Sequence, residues 1–349
     1  MTTQSLKPSI YGTGLIALDV VISADESLPI RTWVGGTCGN VLTIMSFLGW
    51  ESFPIARLNG DEASLQVKSD LLRWGVDLSF AECAPTSATP IIVQKIRRGK
   101  NGVPSHRFTW SCPHCGSWLP AFKPVIAKNV SWISTKMNHP KVFFMDRLSR
   151  AALSLAASAS EKGALVVFEP SAKIDPRLMQ ESLQVAHVIK YADERFQNLD
   201  TLDSPTSKVL LELQTLGPEG MRYRSRLPKA KTTGWVHLPA FEAPVLADTC
   251  GAGDWCSAGI ISKIGLEGAG GFIRFNTKQL RNALKYGQAL AAWTCGFEGA
   301  RGGMYHVDKN IFANEVQHIL CGESSKVFEW PKQRPSSVSS PVTCPACNG

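Results

Sequence analysis

Apolar residues along the chain form two kinds of segment, short continuous runs and longer stretches with helical spacing. Four apolar residues from Val41 to Leu48 follow the i, i+3, i+4, i+7 rule, and the glycine that follows them predicts the end of a helix. Further helices are predicted over 62–74 and 147–162. The continuous runs predict strands over 10–22, 90–96, 142–145, 165–168, 185–189 and 209–213. Such alternation is typical of a mostly parallel sheet covered by helices on both faces.

Two stretches interrupt this alternation. Residues 97–124 are polar, basic and rich in proline and glycine. The composition of residues 331–343 indicates a Pro/Ser linker. No internal repeat is present. We therefore predict one α/β domain over residues 1–330, followed by a linker and a short cysteine-containing tail over 331–349.

Composition and charge narrow the class of protein. The apolar fraction is 44% and the charged fraction 19%, as in ordinary globular proteins. No apolar run reaches the ~18 residues of a membrane span, and the first residues lack the pattern of a secretory signal, so we expect a cytoplasmic protein. The net charge of +8 favours an anionic partner. Nucleotide phosphates would satisfy it, and so would nucleic acid, although the basic residues form no long block.

The sequence DTCGAGD at residues 248–254 carries the clearest chemical signal, and an apolar segment over 255–264 follows it. Gly251, Ala252 and Gly253 predict a tight turn that opens a buried helix. The first N–H groups of such a helix have no internal acceptor, so they would form an anion hole for a transferring phosphoryl group. Asp254, in the first helical turn, would be the catalytic base. We expect the helix dipole to keep it ionised at neutral pH.

This motif resembles the C-terminal signature of the ribokinase-like (pfkB-type) carbohydrate kinases, and the resemblance extends from about residue 8 to about residue 320. The sequence GGTCGN at residues 35–40 is similar to the N-terminal motif of the same family. The resemblance implies a three-layer α/β sandwich with a central, mostly parallel sheet. It also implies a small β lid from residues near 19–34 and 89–121.

The resemblance further implies an ATP-dependent kinase that uses Mg²⁺ and phosphorylates a hydroxyl of a sugar or sugar-like molecule. It implies substrate contacts from Asp19, Gly35, Gly36 and Asn40. The nucleotide-binding residues implied in the same way are Lys190, Thr215, Gly217, Gly220, Thr249 and Gln288. The family often carries Asn-x-x-Glu near the magnesium ion. This chain lacks the asparagine, and Glu194 is the candidate for the glutamate.

The sequence also allows other substrates and another class of function. Nucleosides and sugar phosphates are alternative substrates, and Arg97, Arg98 and Arg107 in the lid would suit a substrate phosphate. A different class is a catalytically impaired kinase-like regulator, or a nucleic-acid-binding protein with a zinc knuckle, although nucleic acid is not the expected partner. The resemblance also suggests a homodimer formed through the lid.

Four of the ten cysteines form two matching CPxC pairs, Cys112 with Cys115 and Cys344 with Cys347. Together they would complete a tetrahedral four-thiolate zinc site. The alternatives are two independent CxxC pairs acting as surface thiols or redox couples, or a site with His106 or His114 as a ligand. A shared zinc ion would be structural and would tie the lid to the tail.

Overall fold

The computed structural model describes most of the chain, namely residues 7–23, 30–84, 86–98, 104–170, 174–197, 199, 201–323, 344 and 347. Within these residues no helix combines the length and apolar character needed to cross a membrane.

The described chain contains strands in two sheets. They are β1 (Ser9–Thr13), β2 (Ala17–Ile22), β3 (Arg31–Gly35), β4 (Glu51–Leu58), β5 (Ala81–Cys83), β6 (Ile91–Arg98), β7 (Pro104–Thr109), β8 (Val142–Met145), β9 (Leu165–Phe168), β10 (Val188–Ala192), β11 (Leu211–Thr215), β12 (Met221–Ser225) and β13 (Val236–Leu238).

Helices alternate with the strands of the larger sheet. They are α1 (Thr37–Phe47), α2 (Glu62–Arg73), α3 (Val130–Lys136), α4 (Arg150–Glu161), α5 (Pro176–Leu183), α6 (Ala252–Ile264), α7 (Gly268–Phe272), α8 (Thr277–Thr294), α9 (Gly302–His306) and α10 (Lys309–Leu320). Short 3₁₀ turns lie at Ala127–Asn129 and Gly217–Glu219.

The central sheet has nine strands within the described residues, in the order β13-β12-β11-β10-β9-β8-β1-β4-β5. The pairs from β11 to β5 are parallel, and β12 and β13 pair antiparallel at one edge. The predicted mostly parallel sheet with helices on both sides is therefore confirmed. The carboxyl ends of its parallel strands face the small sheet and the site described below, as is usual in open α/β folds.

Alternate residues of the central strand β8 enter two separate apolar cores. Val142 and Phe144 of β8 belong to one core, whereas Phe143 and Met145 belong to the other. Successive side chains of a strand point to opposite faces, so these cores lie on the two sides of the sheet. Both faces of β8 are buried. Its sequence is therefore continuously apolar and does not alternate between apolar and polar residues.

A second, four-stranded sheet in the order β3-β2-β6-β7 forms the small lid-like layer. The single strand predicted over 10–22 is instead two strands, because the chain leaves the central sheet after β1. The Leu15 N–H donates to Asp146 Oδ1 at 2.8 Å, and a Cβ on Gly14 would lie 1.6 Å from that oxygen. Glycine at this position lets the chain turn away and enter the small sheet as β2.

Other boundaries differ from the prediction by a few residues. The strands predicted over 185–189 and 209–213 are β10 and β11, each displaced toward the C-terminus. The stretch 97–124, which interrupts the predicted alternation of helices and strands, contributes the end of β6 and all of β7 to the small sheet. Antiparallel pairing with β6 gives β7 hydrogen-bond partners that its polar sequence does not reveal.

Candidate active site

The turn at residues 251–254 has the geometry that its sequence predicts. Gly251 is the N-cap of α6 with φ 77°, and a Cβ there would lie 2.5 Å from the Ala300 carbonyl oxygen. The backbone therefore requires glycine at this position. Within the described residues, the N–H groups of Gly253 and Asp254 have no acceptor, while that of Ala252 donates to Thr249 O at 3.2 Å. Two free amides at a helix N-terminus suit an anion.

Asp254 is held by Asn40 of α1, so the two glycine-containing motifs of the sequence meet here. Asn40 Nδ2 donates to Asp254 Oδ2 at 2.7 Å, and Asn40 Oδ1 accepts from Arg301 Nε at 3.1 Å. The Arg301 guanidinium is buried and donates through Nη2 to Asp70 Oδ2 at 2.7 Å and to the Val34 carbonyl. This chain of hydrogen bonds fixes both the amide orientation of Asn40 and the rotamer of the carboxylate.

Burial opposes the helix dipole, which was expected to keep Asp254 ionised at neutral pH. Burial and then repulsion from Glu169 raise the pKa of Asp254 to about 7. The hydrogen bond from Asn40 and the charge of Lys190 act in the opposite direction but do not offset it. Removing a carboxylate from water costs more than the dipole of a helix end returns. A group with a pKa near neutrality is well suited to accept a proton.

Asp19 lies on β2 and faces the same space from the small sheet. Burial and then repulsion from the nearby Asp254 raise its pKa to about 7, although the charge of Arg301 acts in the opposite direction. A Cβ on Gly35 would lie 2.0 Å from Asp19 Oδ2, and one on Gly36, which has φ 81°, would lie 2.4 Å from the Leu15 carbonyl oxygen. The two glycines therefore make room for Asp19 and for the chain leading into β2.

A pocket between the two sheets encloses about 420 Å³ of empty space, part of it open to solvent. The residues that line it are Asp19, Val21, Trp33, Val34, Gln94, Asp248, Cys250, Glu298, Gly299, Ala300, Arg301 and Tyr305. Among the described residues, two buried donors in this lining have no hydrogen-bond acceptor, Trp33 Nε1 and Arg301 Nη1. Such donors are costly to leave unpaired, which favours a ligand with acceptor groups.

A buried ion pair lies on the other side of the 251–254 turn. Lys190 of β10 donates to Glu169 Oε1 at 2.8 Å and approaches the Gly253 carbonyl oxygen at 3.3 Å. Ser257 of α6 donates to the second oxygen of Glu169. Glu169 follows directly after β9, and Lys190 lies near the carboxyl end of β10. Adjacent parallel strands thus deliver both side chains to the same edge of the sheet.

The family model for pfkB family carbohydrate kinases matches residues 29–306. This match includes the Asn40, Lys190 and Asp254 region described above. The chain belongs to the pfkB family of carbohydrate kinases. It is therefore a phosphotransferase of the carbohydrate kinase class, as the sequence predicted.

Solved structures of sugar and nucleoside kinases have the same fold. A fructokinase with bound ATP from Xylella fastidiosa has a TM-score of 0.68 at 18% identity, and the match covers 91% of this chain and 100% of that one. An Arabidopsis thaliana ribokinase complexed with ribose and ATP has 0.64 at 15%, covering 90% and 99%. An aminoimidazole riboside kinase from Salmonella enterica has 0.62 at 19%, covering 89% and 99%. No curated protein matches the sequence.

The nucleotide-site residues expected from the pfkB resemblance are spread over several elements. Gly217 and Gly220 have φ 56° and 100° in the turn between β11 and β12, and a Cβ on Gly220 would lie 2.3 Å from the Leu238 carbonyl oxygen. Thr215 ends β11, and Thr249 is exposed beside the 251–254 turn. Gln288 is buried on α8, and its Nε2 has no acceptor in the described part of the chain.

Glu194, the expected magnesium-site residue, is exposed on the turn after β10. Its N–H donates to the carboxylate of the neighbouring Asp193 at 2.9 Å. Among the described residues, no hydrogen bond links Glu194 to the Asp254–Asn40 pair. Lys190, in contrast, is joined to the 251–254 turn through Gly253.

Sequence reasoning missed three residues that shape this pfkB site. Arg301 and Trp33 belong to no motif, and only their position in the fold reveals them. Glu169 carried a usable signal, because an acidic residue directly after a buried strand lies at the ligand-binding edge of a parallel sheet. Asp248 was noted only as part of its motif, yet it bonds Cys250 N and Gly299 N, both at 2.9 Å, and so fixes the turn to the 299–301 segment.

Proposed function

We propose that this chain transfers the γ-phosphate of ATP to a hydroxyl of a sugar or sugar-like molecule, with Asp254 as the base. The observation that carries the proposal is the hydrogen-bonded Asp254 beside free helix amides at Gly253 and Asp254. A base and an anion hole side by side are what phosphoryl transfer to an alcohol requires.

In this reaction the acceptor oxygen forms a bond to the γ-phosphorus while the bond from phosphorus to the ADP oxygen breaks. Asp254 orients the hydroxyl and takes its proton late, and Asn40 with Arg301 holds the carboxylate in place. The amides of Gly253 and Asp254 would face the charge that develops on the phosphoryl oxygens. Because the transition state is loose, positioning and charge stabilisation contribute more than base strength.

The chain's own groups fit a nucleotide and a magnesium ion. Lys190 is a buried cation beside the anion-binding turn, and exposed carboxylates of Asp193 and Glu194 follow the same strand. Magnesium retains much of its water shell, so exposed carboxylates would hold it through that shell. The ion would supply positive charge to the phosphates. We infer that Thr215, Gly217, Gly220, Thr249 and Gln288 contact the remainder of the nucleotide.

The pocket chemistry favours a neutral polyol over a sugar phosphate. The lining carries the carboxyl groups of Asp19, Asp248 and Glu298, and the positive charge of Arg301 is paired with Asp70. The arginines considered for a substrate phosphate lie elsewhere, since Arg97 and Arg107 are exposed and do not line the pocket; the Arg98 side chain lies outside the described residues. Unpaired donors at Trp33 and Arg301 and an acceptor at Asp19 suit neighbouring sugar hydroxyls.

The test is ADP release measured over a panel of sugars, sugar phosphates and nucleosides with ATP and Mg²⁺. Asp254→Asn should lower kcat by roughly 10²–10⁴ on the best substrate, because the amide cannot accept the proton. Glu161→Gln, an exposed change at the end of α4, is the matched control, and its kcat should equal that of the parent. Turnover by Asp254→Asn at the parent rate would refute the assignment of the base.

Dimerisation through the small sheet stays a prediction. Phe108 and Trp110, at the end of β7 and just after it, are 50% and 48% exposed. Exposed aromatic side chains of this kind suit a protein interface. Sedimentation of the parent and of Trp110→Lys would test it.

A further inference from the structure

Four cysteine sulfurs converge at a place that the proposed kinase reaction does not use. Cys112 and Cys115 come from the segment after β7, and Cys344 and Cys347 come from the C-terminal tail. All four Sγ atoms lie within 4.8 Å of one another. The partners across the group are 229 and 235 residues apart in sequence, so the convergence is a feature of the fold and not of local spacing.

The distances between the sulfurs match one tetrahedral ion. Cys112 Sγ lies 3.8 Å from Cys347 Sγ, and Cys115 Sγ lies 3.7 Å from Cys344 Sγ. Four sulfurs at ~2.3 Å from a central zinc ion are separated from each other by about 3.8 Å. A disulfide would bring two sulfurs to about 2.05 Å, much closer than these two pairs.

Both CPxC segments have backbone turns that direct their two sulfurs to one side. The Gly116 N–H donates to Cys112 O at 3.0 Å, and Gly116 has φ 74°, a conformation that suits glycine. In the tail, the Cys347 N–H donates to Cys344 O at 3.0 Å. The first cysteine of each pair is buried and the second is exposed, so the two halves present equivalent sides to each other.

We propose that these four thiolates bind one structural zinc ion that joins the C-terminal tail to the small sheet. Thiolates are soft ligands, and a tetrahedral four-sulfur set selects zinc or iron–sulfur chemistry. An iron–sulfur cluster distributes its cysteines over several irons and so spreads the sulfurs further apart than these. Because four protein ligands fill the coordination sphere, no position remains for water or substrate, and the ion has no catalytic role.

The hairpin that carries Cys112 and Cys115 is attached to the small sheet. Residues 110–119 form a small hairpin, with Cys112 N–H donating to Ser117 O at 2.8 Å and Leu119 N–H to Trp110 O at 2.9 Å. The Ile91 N–H at the start of β6 donates to Pro120 O at 3.1 Å. Since β6 pairs with β2, which carries Asp19, the zinc ion would attach the tail to the sheet that covers the pocket.

Metal analysis of the full-length protein, purified under reducing conditions, is the direct test. We expect one zinc ion per chain, and Cys344→Ser/Cys347→Ser should lose it. Cys321→Ser is the matched control, because Cys321 is also exposed and near the C-terminus but lies outside the group. It should keep the parent zinc content. The double variant should also unfold at a lower temperature, since it loses a cross-link between distant segments.

Two further measurements separate metal binding from misfolding. Cys347 is exposed, so Cys347→Ser should fold normally, yet it should weaken zinc retention against a competing chelator by at least about tenfold. Replacement of zinc by Co²⁺ in the parent should give the intense visible bands of a tetrahedral thiolate site. A parent protein that neither contains nor takes up zinc would overturn the proposal. So would zinc retained by the double variant, or disulfides among these cysteines in the freshly reduced protein.

Discussion

The carboxylate centre around Asp254 and the four-cysteine group differ in how their negative charges are compensated. At the carboxylate centre, two acidic groups are buried near each other, and neutral or positive partners only partly offset their repulsion. At the cysteine group, four sulfurs lie within 4.8 Å of one another. The first arrangement raises the pKa of both carboxyl groups. In the second, the proposed zinc ion would compensate the charge of four thiolates.

The difference shows that proximity alone does not define a functional site. Asp254 depends on a specific chain of hydrogen bonds, in which Asp70 accepts from Arg301, Arg301 donates to Asn40, and Asn40 donates to one oxygen of Asp254. The proposed zinc site depends only on the number of thiolates and on the distances between their sulfurs, because zinc itself would impose tetrahedral coordination once it binds. Changes in the first region should therefore affect activity and pH dependence, whereas changes in the second should affect stability and metal content.

The largest effect on the carboxylate centre is expected from Arg301→Met. The substitution removes a buried charge and leaves Asp70 and Asn40 without their donor, so the free energy of unfolding should fall by about 3–5 kcal/mol. Arg31→Met is the matched control, because its partner Glu298 is 40% exposed on the side chain, and it should cost about 1 kcal/mol or less. Urea unfolding measures both. Equal losses would mean that burial of the Arg301 pair is unimportant.

The pH dependence of kcat/KM should reflect the raised pKa values of the two carboxylates. Asp254 must be ionised to accept a proton, so kcat/KM should rise about tenfold per pH unit below about 7 and level off above it. The inflection belongs to the coupled pair rather than to either group. Asp19→Asn removes a neighbouring negative charge and should move the inflection to lower pH. A profile that is flat from pH 5 to 8 would contradict this account.

Asn40→Ala should reduce kcat by roughly tenfold and move the same inflection to higher pH. The alanine removes a hydrogen bond that favours the ionised carboxylate, so the pKa of Asp254 should rise further. Asn129→Ala serves as the control, because Asn129 bonds Glu82 far from the pocket. An unchanged inflection in Asn40→Ala would show that this amide does not tune the base.

The smallest expected effect is a pH-dependent difference in Tm between Asp254→Asn and the parent. Because the pKa of Asp254 is raised on folding, its protonated form is favoured in the folded state, and the wild type loses stability as pH rises from about 4 to about 7. Asp254→Asn is neutral throughout, so its Tm should exceed the parent's by a few degrees at pH 8. The difference should vanish near pH 4. Thermal unfolding at the two pH values measures it, and a lower Tm at pH 8 would contradict the sign.

Much of the fold was predictable because its signals are local. The continuous apolar runs at 142–145 and 165–168 coincide with β8 and β9, since strands buried on both faces leave no polar positions. The strand predicted over 10–22 failed because its division at Gly14 depends on Asp146, which lies 131 residues away at the Leu15–Asp146 contact. No pattern within the segment itself indicates that contact.

The sequence by itself determined the glycine-dependent turns, the buried strands β8 and β9, the pfkB motifs around Asn40 and Asp254, and the two CPxC pairs. These features depend on backbone conformations and spacings that neighbouring residues specify. Only the tertiary structure decided that Arg301 supports Asn40, that Glu169 pairs with Lys190, and that the two cysteine pairs meet. It also set the pKa of Asp254, because burial and Coulomb interactions add up over groups that approach through space and not along the chain.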